Sequence, residues 1–278
     1  FDGRAGLLPQ LGGRLTADLS DTATFLSAFG ISGVDIPQGM GRAIALVTEV
    51  TLSEDMRLSL RDSALTLDSN RLTGAADVYL GEDRPRLNAQ LSAGALDFSA
   101  LAAGSSTTAS SGAAQGTGGA GGSVPTDGWP KTPIDASALG LADGEVALVA
   151  DSIDLGDLQL GKTRTLATLT RSRLVFALRE VQAYDGSITG EFVLNNRSGL
   201  SVGGKMTAAG INLETFLADA VDISRFAAKA DGEVSFLGVG QSLHAIMNSL
   251  EGNGGLRTGR GVISGIDLDR LMRSGDAS

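Results

Sequence analysis

Ile211-Asn212-Leu213, followed by Phe216, is one copy of a phrase that recurs along this chain. In each copy an apolar residue precedes Asp or Asn, a second apolar residue comes next, and another comes after two spacers. The copies lie about 55–58 residues apart, a spacing typical of extended or stacked repeat architectures. Each comes after a stretch of alternating apolar and polar residues, which predicts a long β-sheet built from similar units. The other copies are Leu96-Asp97-Phe98 with Leu101, Ile153-Asp154-Leu155 with Leu158, and Ile266-Asp267-Leu268 with Leu271.

Composition limits what the chain can be. Of its 278 residues 42% are hydrophobic, enough to bury a core, but only 4% are aromatic, so aliphatic side chains must supply most of the burial. Its 39 Gly and 6 Pro suit many tight turns and bulges between strands. A net charge of −10 without a basic stripe argues against a nucleic-acid partner and against docking on anionic headgroups. Because Cys is absent, disulfides and thiolate metal sites are excluded.

The sequence predicts no membrane-spanning helix within the chain, since no run of about 18 apolar residues occurs. Its first residues, Phe1-Asp2-Gly3-Arg4, are neither an initiator Met nor a signal sequence. We therefore expect a fragment of a longer protein, with any membrane anchor upstream of this chain.

Three regions are predicted along the chain. Residues 1–103 form a β-rich N-terminal block in which apolar residues recur at every second position, as in Leu87, Ala89 and Leu91. Residues 104–128 are Gly, Ser, Thr and Ala with almost nothing apolar, a composition that cannot offset its ordering entropy and predicts a flexible linker. Residues 129–278 form a second β-rich block.

The linker imitates a dinucleotide fingerprint through the pattern Gly116-x-Gly118-x-x-Gly121. That motif needs a strand before it and a helix after it, and the sequence offers neither. We therefore exclude a dinucleotide cofactor and expect no cofactor at all.

Two short helices are predicted in the second block, at Leu213–Ala220 and Leu243–Leu250. In the second helix, apolar residues fall at helical spacing from Leu243 to Leu250 and form one stripe. Ser242 before it and Gly252 after it suit a cap and a stop.

Gly199-Leu200-Ser201-Val202-Gly203 fits the pattern of a hydrolase nucleophile elbow, and the only histidine, His244, comes later with Asp residues between. An elbow requires a sharp strand-to-helix turn after the Ser, whereas Lys205-Met206-Thr207-Ala208 continues a strand-like run. The same stretch imitates a P-loop, but Met206 stands where the Mg²⁺-binding Ser or Thr belongs. We therefore expect no catalytic activity.

The Asp and Asn residues of the recurring phrase stand singly, about 55 residues apart, so they do not form a cluster of Ca²⁺ ligands. Their side chains suit bonding to the free backbone N–H groups of the segment after each strand. The sequence therefore predicts local caps and no metal site.

The alternating strands leave two interpretations open. One is an antiparallel sheet whose apolar face packs against something else in the protein. The other is a sheet whose apolar face lines an open groove.

A family resemblance favours the second interpretation. Ala230-Asp231-Gly232-Glu233-Val234-Ser235-Phe236 leads to a short helix that ends in Ser249-Leu250-Glu251-Gly252-Asn253-Gly254. The segment closes with Gly261-Val262-Ile263-Ser264-Gly265-Ile266-Asp267-Leu268. This series resembles the C-terminal region of AsmA-family proteins, and the resemblance covers residues 133–272.

The resemblance implies a Gram-negative periplasmic protein, anchored in the inner membrane by an upstream helix and active in outer-membrane assembly and lipid homeostasis. It also implies a bridge-like form, in which a curved sheet conducts phospholipid along its apolar interior. The linker at 104–128 is a departure, because it would interrupt a continuous conduit unless it loops out from one edge.

The combined prediction is a mainly β protein: an elongated, curved antiparallel sheet of similar units with a few short α-helices. Its expected function is non-catalytic handling of phospholipid or another envelope lipid between the inner and outer membranes. The alternative is a structural or assembly module that binds another envelope protein, along an open strand edge. The residues predicted to line the lipid groove are Val146, Leu148, Leu174, Phe176, Leu178, Ile188, Phe192, Leu194, Leu200, Val202 and Met206.

Overall fold

One long sheet dominates the fold. The computed structural model describes residues 2–5, 11–28, 36, 38–81, 84–100, 129–156, 158–221 and 223–263. The strands are β1 (Asp2–Ala5), β2 (Leu11–Leu19), β3 (Ile44–Leu52), β4 (Arg57–Leu67), β5 (Asn70–Tyr79), β6 (Arg86–Asp97), β7 (Asp143–Asp154), β8 (Gln159–Leu160), β9 (Thr163–Thr170), β10 (Arg173–Ala183), β11 (Gly186–Asn195), β12 (Ser201–Asn212), β13 (Phe226–Ala227), β14 (Lys229–Val239), β15 (Glu251–Thr258) and β16 (Val262–Ile263). The helices are α1 (Thr22–Ala28), a 3₁₀ turn (Ser137–Gly140), α2 (Leu213–Val221) and α3 (Leu243–Asn248).

Neighbours in the sheet keep to chain order almost throughout. Its 14 strands run β1-β2-β3-β4-β5-β6-β7-β9-β10-β11-β12-β14-β15, with β8 pairing beside β7, while β13 and β16 form a separate two-stranded sheet. The large sheet is curved, unclosed and mostly antiparallel. The predicted fold class is therefore confirmed.

The one parallel pair in this path joins the N-terminal and C-terminal blocks. Strand β6 pairs with β7 in a register that sets Leu96 beside Ile153 and Asp97 beside Asp154. Two copies of the recurring phrase thus lie side by side, and the sheet continues without a break from one block to the other. The predicted linker at 104–128 lies outside the described residues.

The copies of the phrase also mark one end of the strands, since Asp97, Asp154 and Asn212 are the last residues of β6, β7 and β12. We call the side of the sheet formed by these strand ends the repeat edge. At each of these residues a side-chain oxygen accepts a hydrogen bond from the backbone N–H two residues on. The distances are 3.0 Å from Ser99, 2.8 Å from Gly156 and 3.1 Å from Glu214. The predicted local caps are therefore confirmed at three copies, and the Ile266 copy lies outside the described residues.

Both short helices of the second block are present. Helix α2 extends one residue beyond its predicted end. Helix α3 ends at Asn248, two residues early, and Ser242 caps it by accepting a 3.2 Å hydrogen bond from the Ala245 N–H. The chain turns there because Glu251 must begin β15 in register with Leu237 of β14.

The main buried cluster lies where the two blocks meet. Leu72, Leu96, Ala150 and Ile153 form it, on adjacent strands β5, β6 and β7. Phe98, Leu155 and Leu160, which come after strands β6 and β7, pack against these residues. The apolar side of the sheet is therefore sealed locally by chain segments that fold back from the repeat edge.

Candidate functional site

One face of the sheet is apolar across almost its full width. Directly paired residues project to the same side, so the register identifies rows of side chains that cross the strands. The central row on this side contains only Gly, Ala and larger apolar residues. From β2 to β15 it consists of Gly13, Val50, Leu60, Ala76, Ala89, Val146, Ala167, Phe176, Phe192, Gly204, Phe236 and Gly252. We call this side the apolar face.

A shift of one residue along each strand gives the opposite, polar face. The corresponding row there starts with Thr51, Ser59, Asp77, Asn88 and Glu145. It becomes less polar from β10 to β14, where Val175, Val193 and Leu237 belong to it. Two sides of such different character are what period-two alternation produces when only one face contacts apolar material.

Asp77 illustrates the ionic character of the polar face. Its carboxylate accepts a 2.7 Å hydrogen bond from Ser59 and forms ion pairs with Arg61 at 2.8 Å and Arg57 at 3.2 Å. The Ser59 hydroxyl above all, with the two guanidinium groups, holds the pKa of Asp77 below its usual range despite partial burial. This side of the sheet is therefore suited to water.

Three of the hydroxyl groups on the apolar face, those of Thr48, Ser63 and Thr163, have hydrogen-bond partners within the protein. Thr48 Oγ1 lies 2.7 Å from Ser63 Oγ and donates to the Arg61 carbonyl at 3.0 Å, and Thr163 donates to the Gly161 carbonyl at 2.9 Å. These groups therefore interrupt the apolar face without demanding a polar ligand.

All the predicted groove residues except Leu200 lie on the apolar face. The register stays continuous through Gly203 and Gly204, so Val202 and Met206 share a side with Phe192. A bulge does occur in β12, but further along, between Ala208 and Ile211.

Leu200 lies outside this surface. Strand β12 begins at Ser201, and Leu200 precedes it with only 1% of its surface exposed. Its carbonyl accepts a 3.0 Å hydrogen bond from the Gly240 N–H. Leu200 therefore packs inside the protein at the edge opposite the repeat edge.

Two phenyl rings lie close together on an open part of the apolar face. Phe192 on β11 and Phe236 on β14 approach to 6.2 Å between ring centroids, and Gly204 lies between them on β12. A Cβ at Gly204 would come within 3.0 Å of the Phe236 ring and 2.9 Å of the Glu191 carbonyl oxygen. Only glycine therefore allows this pair of rings, and Phe192 keeps 37% of its surface exposed.

Phe236 and Val234 belong to the apolar face but were not among the predicted residues. Their alternation is interrupted by Gly232 and Gly238, which weakens the strand pattern in the sequence. The signal that could have identified them is the spacing of Gly232, Val234, Phe236 and Gly238 at every second position.

Ser201 and His244 have separate partners. Ser201 opens a strand that continues to Asn212, and its hydroxyl accepts a 3.5 Å contact from the Asn195 amide. His244 lies on α3, where its Nε2 meets the Asn248 amide at 2.9 Å. The strand after Ser201 does not turn into a helix, so the geometry of a nucleophile elbow is not formed.

Two other kinds of feature are absent from the described parts of the chain. No helix there is long and apolar enough to cross a membrane. No group of three or more His, Asp or Glu residues there is placed to hold a metal ion.

Comparison with known proteins agrees with the architecture. The model of the AsmA family matches residues 25–278. Neither a curated protein nor a solved structure matches the chain with significance. Since the family match covers most of the sequence, the chain belongs to the AsmA family.

Proposed function

We propose that this AsmA-family chain handles phospholipid, or another envelope lipid, along its apolar face and performs no catalysis. Membership of the family indicates a role in envelope biogenesis or another lipid-related role. The observation that carries the finer proposal is the central row, which stays apolar from Val50 on β3 to Phe236 on β14.

The energetics of this surface favour an apolar ligand. Burying a Val, Leu, Ile or Phe side chain contributes roughly 1.5–3 kcal/mol, so a face lined by such residues on strand after strand demands a partner. Many of its side chains are only half-buried by their neighbours, and Phe192 and Val234 remain exposed. An acyl chain lying on this face would cover them without needing any hydrogen bond.

The two faces also suit a lipid that keeps its headgroup in water. Acyl chains would contact the apolar face, while the polar face with its Asp77 cluster stays hydrated. The curved, unclosed sheet leaves the apolar face open along the strands, so headgroups need not cross an apolar barrier. We place the protein in the periplasm, held at the inner membrane by a segment upstream of this chain.

Photo-crosslinking tests the proposal. A photoreactive residue is placed at Phe176 or Phe192 on the apolar face, with the adjacent Val175 and Val193 on the polar face as matched controls. The full-length protein is expressed in its native envelope and irradiated. We expect lipid adducts at Phe176 and Phe192 and none at the controls. Adducts only to protein, or none at any position, would overturn the proposal.

A second candidate function is binding of another envelope protein at the edge strand β15. Each residue from Glu251 to Thr258 is exposed, and within the described residues the path of the large sheet ends at this strand. An open edge offers backbone groups to which a partner strand can add. Protein adducts from a photoreactive residue at Asn253, without lipid adducts at Phe176 and Phe192, would favour this function.

A further inference from the structure

A small cavity lies where helix α2 meets the repeat edge of the sheet. Its volume is about 140 Å³, and we call it the α2 pocket. Its floor consists of small residues, Ala208 on β12 and Ala230 and Gly232 on β14. Tyr184 and Phe216 form a wall.

The pocket exists because two small residues lie side by side beneath α2, between larger residues of the same row. Ala208 and Gly232 are paired directly, and Leu256 on β15 comes after Gly232 in the same row. Ile188 on β11 precedes Ala208 in that row. Large side chains thus flank a small-residue floor, which leaves room under α2.

The wall of the pocket is held in place by ring packing. Phe216 of α2 meets Tyr184 edge to face, with 5.4 Å between ring centroids and an interplanar angle of 83°. Burial, together with the Asp219 carboxylate that accepts its hydroxyl hydrogen, raises the pKa of Tyr184. The phenol is therefore neutral and anchored at physiological pH, so the pocket presents ring carbon to a ligand.

The lining and size indicate the kind of ligand. Apart from the Tyr184 hydroxyl, the lining side chains carry no polar atom. An apolar cavity of about 150 Å³ stays dry and accepts benzene, so the α2 pocket has room for about six carbon atoms. A headgroup with charge or hydrogen-bonding groups would be unsatisfied there.

The position of the pocket indicates which part of a lipid would enter. Ile188, Ala208 and Gly232 belong to the apolar face as well as to the pocket, so the two surfaces are continuous. An acyl chain lying on the face would meet α2 as it approaches the repeat edge.

We infer that the α2 pocket receives the methyl end of an acyl chain that lies along the apolar face. The inference rests on the proposed lipid-handling function and adds a binding site for the methyl end of one acyl chain. It gives the lipid a defined orientation, with the chain end under α2 and the headgroup toward the opposite edge of the sheet.

Two photoreactive lipids test this orientation. The purified 278-residue chain is incubated with phosphatidylethanolamine that carries a diazirine either near the methyl end of an acyl chain or near its ester. Adducts are mapped by peptide mass spectrometry. We expect the methyl-end probe to label Ile211, Leu213 and Phe216, and the ester-end probe to label other positions.

A pocket-filling variant sharpens the test. The valine side chain of Gly232→Val projects into the cavity. In Gly232→Ala the added Cβ makes only ordinary van der Waals contact, at 3.6 Å from Leu256 Cδ1. We expect Gly232→Val to reduce methyl-end labelling of the pocket about tenfold, which corresponds to about 1.4 kcal/mol. Gly94→Val, at a strand glycine with nothing within 4 Å of its added Cβ, is the matched control and should leave labelling unchanged.

The outcomes separate this inference from the proposed function. If both probes label residues along the apolar face and give equal amounts of adduct in the pocket, the chain-end inference is overturned and lipid handling stands. No labelling by either probe would overturn both. If Gly232→Val lowers the melting temperature, Gly232→Ala takes its place, and a smaller loss of pocket labelling is expected because less of the cavity is filled.

Discussion

The apolar face is sealed in one region and open in another, although the same alternation of residues builds both. In the sealed region, at the repeat-edge ends of β5–β7, Leu96 is 2% exposed and Ala150 is fully buried. In the open region, on β11–β15, Val234 is 41% and Leu256 65% exposed. Strand pattern alone therefore does not decide whether an apolar face becomes a core or a surface.

The two regions differ in the chain segments that come after their strands. Near β6 and β7 the chain folds back, so that Phe98, Leu155 and Leu160 cover the face. Gly39 is also held there, since the Asn70 side chain donates to its carbonyl at 2.9 Å. Near β14 and β15 the described chain covers the face only at the strand ends. Helix α2 and the short β13–β16 pair lie at the repeat edge, and α3 lies at the opposite edge, where Ile246 packs closely on Gly238. Between these strand ends, no described segment of the chain covers the face in the open region.

The largest expected effect is the difference in stability loss between the same Leu→Ala substitution in the sealed region and in the open region. Leu96→Ala should lower the free energy of unfolding by about 2–5 kcal/mol, because it leaves a cavity in the sealed cluster. Leu256→Ala, on the exposed edge strand, should cost less than about 1 kcal/mol because water can fill the space. Urea unfolding measures both. Equal losses would contradict the division into a sealed and an open region.

The next effect concerns the carboxylate that fixes the cover over the sealed region. Asp68 accepts backbone hydrogen bonds from Gly39 at 2.7 Å, Ala43 at 2.8 Å, Gly41 at 3.0 Å and Arg42 at 3.2 Å. Burial alone would raise the pKa of Asp68, but these four N–H groups together hold it below its ordinary value. Asp68→Asn should lower the free energy of unfolding at pH 7 by about 1–3 kcal/mol.

The same carboxylate predicts a pH dependence. Because the folded-state pKa of Asp68 is lowered, its contribution is complete above the unfolded-state pKa of about 3.9 and is lost as pH falls through the folded-state pKa. The stability of Asp68→Asn should therefore fall less steeply than wild type below pH 4. Asp18→Asn, at an exposed residue of β2, is the control and should keep the wild-type profile. Parallel profiles for Asp68→Asn and wild type would contradict the assignment.

The smallest effect distinguishes two glycines of the open region. Gly232→Ala should raise the free energy of unfolding by about 0.4–1 kcal/mol, since the added Cβ fits and the unfolded chain loses entropy. Gly204→Ala should lower it, because the added Cβ would press on the Phe236 ring and the Glu191 carbonyl. Thermal unfolding of both variants checks the signs. Stabilisation by Gly204→Ala would show that the phenyl pair does not depend on close strand approach.

Local pattern was enough to predict much of the fold. Period-two alternation identified β10 and β11 and the side to which Phe176 and Phe192 project. The Asp and Asn of the recurring phrase were correctly interpreted as caps, because an N–H two residues away is a purely local partner. Features that depend only on neighbours in the chain are accessible from sequence.

Features that depend on pairing between distant segments of the chain were not predicted from the sequence. The parallel pairing of β6 with β7 joins segments separated by the predicted linker, and nothing local specifies it. Leu200 continues the alternation but is enclosed, because the turn before β12 packs on Gly240. Phe236 was missed because Gly232 and Gly238 interrupt its local alternation, and its row partners Gly204 and Gly252 are identified only when three strands are aligned.

The central claim is that lipid binds the apolar face, and bound phospholipid per chain measures it most directly. Phe192 and Phe236 straddle Gly204 on the apolar face, while Val193 and Leu237 straddle Gly203 on the polar face. Replacing either pair with Asp adds the same charge at adjacent positions of the same two strands. Protein is purified from the envelope with its lipid, and extracted phospholipid is quantified by mass spectrometry. We predict that Phe192→Asp with Phe236→Asp loses most of the phospholipid, while Val193→Asp with Leu237→Asp retains it. Equal retention by both double variants, or wild-type protein without phospholipid, would contradict the account.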